Sequence, residues 1–160
     1  MGTERHATPA VRLVRDWYAM LAAGDVEGAL AKLDPQVEWI EVESSPYGRP
    51  GPIRSREVVL REVWLLLQRD WERITVEPGV LIELPAGALA LVRYRGVRRG
   101  TGAPFDAQAA HIWDVHRDRI TRYRGLADTH ALHVATGSLS ERNRRLAREE
   151  FDVWRTGDDS

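Results

Sequence analysis

The sequence predicts an α+β fold, with three N-terminal helices packed on one face of a curved, mostly antiparallel sheet. Two patterns predict this arrangement. Apolar residues recur at helical spacing in the first part of the chain, and strand-like segments separated by turns fill the part after Ile74. With 160 residues, 43% of them hydrophobic, the chain is long enough to bury a substantial core as one domain. A sheet bent around helices closes into a cone-shaped barrel with an apolar interior.

The N-terminal part of the chain alternates helices with one strand. Pro9 suits a first helical turn, Gly24 ends that helix, and Asp25 caps a short second helix. A first strand follows from Val37 to Val42. A loop rich in serine, proline and glycine then leads to a third helix, which Ser55 caps.

The C-terminal part of the chain has the pattern of successive antiparallel strands. These strands are expected at residues 74–76, 80–84, 89–97, 105–115 and 120–126. The sequence therefore predicts a flexible tail at residues 1–8, a cone domain at residues 9–137, and a C-terminal helix and tail at residues 138–160.

The last segment carries one more helical pattern, from Ser140 to Trp154, which Gly157 ends. Its few apolar residues predict a helix that docks along one edge of the domain. Residues 143–158 also resemble the first helix and its Gly-Asp stop. That similarity is explained either by chance between two amphipathic helices or by a remnant of a tandem domain.

The composition excludes several classes of protein. The absence of cysteine rules out disulfides, thiolate zinc sites and cysteine nucleophiles. The formal net charge is −1, whereas nucleic-acid binders usually carry a clear basic excess. No apolar run reaches the ~20 residues of a membrane span, and no apolar stretch follows Met1 to Arg5 as it would in a signal peptide. We therefore expect a cytoplasmic protein with no nucleic-acid or membrane partner.

Several segments together resemble one known superfamily. They are Trp17-Tyr18-Ala19-Met20-Leu21-Ala22-Ala23-Gly24-Asp25, Asp34-Pro35-Gln36-Val37-Glu38-Trp39, Tyr47-Gly48, and Ile112 to Ile120 followed by Tyr123-Arg124-Gly125 and Asp128. Their order and spacing resemble the nuclear transport factor 2-like superfamily, in particular its SnoaL-like polyketide cyclases and ketosteroid isomerases. The resemblance covers about residues 9–137 and implies the same cone-shaped fold. It does not fix the function, because this superfamily includes isomerases, cyclases, epoxide hydrolases, dehydratases and binding proteins.

The resemblance also implies candidate catalytic groups. Glu41 falls at the position of the carboxylate base of ketosteroid isomerases. The positions of their two oxyanion donors hold Trp17 and Ala110, so steroid isomerisation is not expected. Asp128 matches the aspartate that SnoaL-like cyclases carry after the last strand, and Tyr123 falls on the pocket side. The alternatives are that Glu41 is a strand-end glutamate in contact with water and that Asp128 caps the following turn.

Strand alternation and the family register assign the other pocket residues. Glu41 shares a strand face with Trp39. In the strand at residues 105–115, the register leaves His111 and Trp113 on the outer sheet face, where they would form a homodimer interface. The expected ligand-binding residues are Trp17, Tyr18, Trp39, Tyr47, Trp64, Gln108, Ala110 and Ile112.

These observations favour a protein that binds a small hydrophobic molecule, polyketide- or terpenoid-like, in an apolar pocket. In one interpretation Asp128, Glu41 and Tyr123 catalyse an isomerisation, cyclisation or hydration by acid/base chemistry without a cofactor. In the other, the protein is a non-catalytic binding or accessory protein. His130 and His133, with Asp128, are metal-ligand types, but their spacing fits no established motif, so no metal is expected.

Overall fold

The structure, a computed structural model, describes residues 7–42 and 44–137. Its helices are α1 (Pro9–Ala22), α2 (Val26–Lys32), α3 (Arg56–Val59), α4 (Leu65–Asp70) and α5 (Thr129–Thr136), with a π-helical segment (Leu60–Trp64) between α3 and α4. Its strands are β1 (Leu33–Ile40), β2 (Trp71–Leu84), β3 (Gly87–Arg98), β4 (Pro104–His116) and β5 (Arg119–Ala127). The helix expected from Ser140 to Trp154 and the repeat at residues 143–158 lie outside the described residues.

The five strands form one mixed sheet in the order β1-β5-β4-β3-β2. β1 runs parallel to β5, and every other pair of neighbours is antiparallel. α1 packs against β2 and β3, α4 packs against β2, and α5 packs against β4. The predicted α+β fold, with helices on a mostly antiparallel sheet, is confirmed.

The helices α2 and α3 begin directly after residues whose side chains cap them. Asp25 Oδ1 accepts a hydrogen bond from Gly28 N at 2.8 Å, and Ser55 Oγ accepts one from Val58 N at 3.4 Å. Gly24, just after α1, has a φ of +75°, a left-handed conformation that glycine adopts without strain. Local side-chain chemistry therefore sets these boundaries.

Three elements differ from the sequence prediction. β1 begins earlier than expected, at Leu33, and includes Pro35, which is tolerated because β1 lies at the edge of the sheet. β2 is continuous where two strands were expected, because a shift in register between Pro78 and Leu81 absorbs the interruption. The segment now seen as α5 was expected only as a turn.

Aromatic side chains form the centre of the larger of two apolar clusters. Trp17 Nε1 donates a hydrogen bond to Ala29 O at 3.1 Å, which satisfies the indole in the interior. The centroid of the Trp17 ring lies 4.7 to 6.3 Å from those of Tyr18, Trp39, Trp64 and Trp113. These contacts hold α1 against the inner face of the sheet.

A second, smaller cluster joins α5 to the sheet. Its buried members are Trp71, Phe105, Ala107, Leu132 and Ala135. The ring centroids of Trp71 and Phe105 are 5.3 Å apart. This cluster is the reason that α5 packs beside β4, and the interior space of the domain lies between it and the larger cluster.

Candidate functional site

A cavity of about 60 Å³ lies where the two apolar clusters meet. Its wall takes Val63 and Tyr123 from the larger cluster, and Phe105 and Leu132 from the smaller one. Five further side chains with polar or titratable groups line it, namely Glu41, Ser45, Tyr47, Tyr94 and His111. The cavity is therefore apolar over much of its wall and carries a few polar groups, the usual character of a small-molecule site.

A chain of hydrogen bonds runs from the core to this cavity. Trp113 Nε1 donates to Tyr18 Oη at 3.0 Å, and Tyr18 Oη lies 2.7 Å from His111 Nδ1. On the other side of the imidazole, His111 Nε2 lies 2.9 Å from Tyr94 Oη. Trp113, Tyr18 and His111 are all buried. Three elements, α1, β3 and β4, thus supply one connected polar network.

Burial keeps the histidine of this network neutral. It lowers the pKa of His111 to about 3, because a charged imidazolium would lose its hydration in the interior. Burial also raises the pKa of the Tyr18 and Tyr94 hydroxyls. At pH 7 the network therefore consists of uncharged donors and acceptors.

Tyr123 connects the network to the acid on the cavity wall. Its ring stacks on Trp39 with centroids 3.8 Å apart, and its hydroxyl is hydrogen-bonded to Tyr94. A Cβ at position 125 would collide with that hydroxyl, so Gly125 provides the space that it occupies. Burial, and the nearby charge of Glu41, raise the pKa of Tyr123.

Glu41 is the acidic side chain on the cavity wall. Trp39 Nε1 donates to Glu41 Oε1 at 2.8 Å, so the indole two residues earlier fixes the orientation of the carboxyl. Burial raises the pKa of Glu41, and the Trp39 hydrogen bond only partly opposes that shift. Among the described residues, no lysine or arginine lines the cavity. Glu41 is thus poised to exchange a proton in a site that lacks a neutralising cation.

Tyr47 closes the side of the cavity formed by the loop after β1. Its hydroxyl accepts a hydrogen bond from Trp71 Nε1 at 2.8 Å and donates one to Asp70 Oδ2 at 3.2 Å. Burial raises the pKa of Tyr47 to about 12. In the same loop, Ser44 Oγ donates to Thr129 Oγ1 of α5 at 3.3 Å. The loop is therefore held at both α4 and α5.

The predicted orientation of β4 is wrong. His111 and Trp113 face the interior, at 3% and 0% exposure, and do not lie on the outer face. The residues that alternate with them, Gln108, Ala110 and Ile112, lie on the outer face of the sheet and do not reach the cavity. A shift of one residue in an assumed register moves every side chain of a strand to the opposite face.

The sequence does contain a signal for the correct orientation of β4. Asp106 and Asp114 have the same parity as Gln108, and two carboxylates on one strand face indicate the solvent side. The same signal would have found His111 as an interior residue. Tyr94 was not predicted as a site residue. It lies between Arg93 and Arg95 in a strand, and this alternation of charged and aromatic side chains indicates that its ring faces the interior.

The other predicted site residues divide between the cavity and its surroundings. Glu41, Tyr47 and Tyr123 lie on the cavity wall. Tyr18 and Trp39 lie behind it and hydrogen-bond to wall residues. The expected ligand contacts Trp17 and Trp64 belong to the core and are not among the described residues of the wall.

Asp128 lies at the surface. Its Oδ1 accepts a hydrogen bond from Ala131 N at 3.0 Å, and the side chain thereby caps α5. The described residues of the cavity wall end at Ala127 on this strand. The structure therefore does not bring the two predicted acids, Asp128 and Glu41, together in one cavity.

Neither a metal site nor a membrane segment is found in the described part of the chain. Within residues 7–42 and 44–137, no three His, Cys, Asp or Glu side chains are grouped so that they could hold a metal ion. In the same residues, no helix has the length and apolar character needed to cross a bilayer.

Comparisons with known proteins identify relatives of this fold. The family model of the SnoaL-like domain matches residues 14–123. The structure of an NTF2-like protein from Burkholderia thailandensis is 28% identical, with a TM-score of 0.74, covering 81% of this chain and 98% of that one. No match is found among proteins of curated function.

Two further solved structures share the fold at lower identity. TerC, co-crystallised with polyporic acid, is 20% identical with a TM-score of 0.72, covering 81% of this chain and 99% of its own. IdmH from Streptomyces antibioticus, proposed to be a polyketide cyclase, is 19% identical with a TM-score of 0.68, covering 82% of this chain and 99% of its own.

Proposed function

This chain belongs to the SnoaL-like domain family of the nuclear transport factor 2-like superfamily, and on that premise we propose that its cavity binds a small, largely apolar ligand that carries a carbonyl oxygen. We further propose that Glu41 moves a proton on that ligand. The observation that carries this proposal is a carboxyl group, oriented by Trp39 and raised in pKa by burial, beside the hydroxyls of Tyr94 and Tyr123 in one cavity.

The chemistry requires two groups with separate tasks. Glu41, as a carboxylate, removes a proton from the carbon next to the ligand carbonyl, and the electron pair of the C–H bond moves towards the carbonyl oxygen. A tyrosine hydroxyl donates a hydrogen bond to the enolate oxygen that forms. Return of the proton from Glu41 to a different carbon completes an isomerisation. Attack of the enolate carbon on a second carbonyl completes a cyclisation, in which Glu41 returns its proton to the new alkoxide.

The likeness to TerC and IdmH supports a polyketide-like ligand for this chain. The cavity, with a volume of about 60 Å³, is large enough for only part of such a molecule. We therefore propose that one ring or carbonyl arm enters between Glu41 and Phe105. The remainder of the ligand then extends past Tyr47, with movement of the loop that carries it.

Cyclohexanone is a suitable probe, because it has one ring, one carbonyl and exchangeable α-hydrogens. NMR in D₂O measures its α-deuteration in the presence of the protein. We expect the wild type to accelerate the exchange and Glu41→Gln to lower the acceleration by about 100-fold or more, the usual contribution of a general base. Glu83→Gln removes an exposed carboxylate on β2 and is the matched control. Equal rates for the wild type and Glu41→Gln contradict the proposal, as does no rate above that of buffer.

The second candidate is a binding protein without turnover. It is favoured by Asp128, because the aspartate expected from the cyclases serves here as a helix cap. In that case the wild type and Glu41→Gln both bind cyclohexanone, and neither accelerates deuteration. Native mass spectrometry of the purified protein then reveals a ligand that is released unchanged.

A further inference from the structure

We propose that Trp113, Tyr18 and His111 are positioning residues that give the hydrogen-bond chain one direction, so that it presents a donor to the ligand. In this arrangement each group donates to the next, from the indole through the imidazole to Tyr94. The direction itself follows from the contacts of these side chains. The identity of the ligand group that receives the final hydrogen bond rests on the function proposed above.

The direction of hydrogen-bond donation is set at the buried end of the hydrogen-bond chain, at Trp113 and Tyr18. An indole N–H is only a donor, so Trp113 Nε1 must donate to Tyr18 Oη. Among the described residues, the other hydrogen-bond partner of Tyr18 Oη is His111 Nδ1, at 2.7 Å. Tyr18 is 1% exposed, so water does not reach its hydroxyl. The single proton of that hydroxyl is therefore directed to His111 Nδ1.

The imidazole of His111 continues this direction, because it accepts a hydrogen bond at one nitrogen and donates one from the other. A neutral histidine carries one N–H, and if Nδ1 accepts from Tyr18, the proton must be on Nε2. His111 Nε2 lies 2.9 Å from Tyr94 Oη and so donates to it. The opposite tautomer would place two N–H groups on Tyr18 Oη and leave the Tyr18 proton without an acceptor, which buried hydroxyls in folded proteins avoid.

The hydrogen-bond chain ends at the cavity, where its last group is a hydroxyl that can donate a proton. Tyr94 Oη already accepts from His111, so its own proton points away from the imidazole, towards the cavity that Tyr94 lines. The Tyr94 hydroxyl then offers an O–H to the ligand. The matching ligand group is a hydrogen-bond acceptor such as a carbonyl oxygen, and it is the group on which negative charge develops when Glu41 removes an α-proton.

The tautomer of His111 can be measured directly in the wild type. The protein is labelled with ¹⁵N-histidine, and two-bond ¹⁵N–¹H correlation spectra distinguish a protonated from an unprotonated ring nitrogen. The chain has five histidines, so the His111→Gln variant identifies the signal. We expect a protonated Nε2 and an unprotonated Nδ1 between pH 8 and pH 6.

Two variants separate positioning from general packing. Tyr18→Phe removes the donor to Nδ1, so we expect the His111 signals to move towards a mixture of tautomers. Cyclohexanone should then bind about 2- to 10-fold more weakly, the equivalent of one net hydrogen bond. Trp17→Phe alters a ring that packs on both Tyr18 and Trp113 but lies outside the chain, and it should leave the tautomer unchanged.

The outcomes distinguish this inference from the proposed function. A protonated Nδ1, or a charged His111 at pH 7, would contradict the proposed direction of hydrogen-bond donation, whatever the protein binds. An unchanged tautomer in Tyr18→Phe overturns the role of Tyr18 as a positioning residue. An Nε2–H tautomer that depends on Tyr18 supports the inference, and if such a protein does not bind cyclohexanone, only the proposed function fails.

Discussion

At the scale of single residues, burial of His111 links the stability of the fold to pH. The pKa of His111 falls to about 3 in the folded protein, whereas an unfolded histidine titrates near 6.5. Below pH 6.5 the unfolded chain therefore binds a proton that the folded chain does not. The contribution of this residue to stability is complete above pH 6.5 and is lost as the pH falls towards 3.

We accordingly expect the free energy of unfolding of the wild type to decrease between pH 7.5 and pH 5.5, by up to about 1.4 kcal/mol per pH unit below 6.5. Urea titrations at several pH values measure this. His111→Gln cannot titrate and should lose that pH dependence, whereas His116→Gln, at an exposed position, should retain it. Parallel pH profiles for the wild type and His111→Gln would contradict the expectation.

Glu41 changes the stability of the fold with pH in the opposite direction to His111. Burial raises its pKa, so at pH 7 the unfolded chain ionises this group more readily than the folded chain does. Glu41→Gln keeps an oxygen that can accept from Trp39 and removes the cost of ionisation. It should therefore raise the Tm at pH 7.5, with a gain that shrinks as the pH falls towards 4.5. Glu83→Gln should leave the Tm nearly unchanged, and a lower Tm for Glu41→Gln at pH 7.5 would be the contrary result.

At the scale of elements, local chemistry was sufficient to predict the caps and turns, but not the facing of β4. Asp25 and Ser55 begin helices as expected because each cap is formed within three residues of the chain. The facing of β4 depends instead on its pairing with β3 and β5 and on the helices that cover one side. A register taken from a family pattern was one residue out, and the error exchanged Ile112 with His111 and Trp113.

The candidate site could also be predicted only in part from the sequence. Glu41 and Tyr123 could be placed near a pocket from the family register, and Glu41 also from the strand face that it shares with Trp39. The bond between Tyr18 and His111 joins residues far apart in the chain, and no local spacing indicates it. Tertiary packing, rather than any motif, brings the network together.

The role of Asp128 can be tested at α5, the helix after β5. The family resemblance predicts a catalytic role for this residue, whereas in the structure it caps the helix. Asp128→Ala should reduce the stability of α5 by about 1 kcal/mol, whereas Asp128→Asn should be close to the wild type, because asparagine caps equally well. Hydrogen exchange of the α5 amides measures both. If Asp128→Asn abolished cyclohexanone deuteration while α5 remained protected, Asp128 would have a catalytic role beyond the cap.

At the scale of the whole molecule, the outer face of the sheet carries an apolar patch with a charged rim. The patch consists of Ile82, Leu89, Leu91, Ala110 and Ile112, which are neighbours across β2, β3 and β4. Ile82 and Leu91 are 47% and 46% exposed. Ion pairs flank the patch, with Arg93 bound to Asp106 on one side and Arg122 to Asp114 on the other. An apolar centre inside a polar rim is the usual composition of a protein–protein interface.

We propose that this patch pairs two copies of the chain, in place of the interface expected from His111 and Trp113. Light scattering should then report twice the chain mass of 18.1 kDa at micromolar concentration. Leu91→Lys places a charge at the centre of the patch and should shift the protein to monomers, because an unpaired buried charge opposes association. Leu65→Lys is the matched control, since Leu65 has a similar exposure of 48% but lies on α4. A monomeric wild type, or equal dissociation by both substitutions, would show that the patch does not join two subunits.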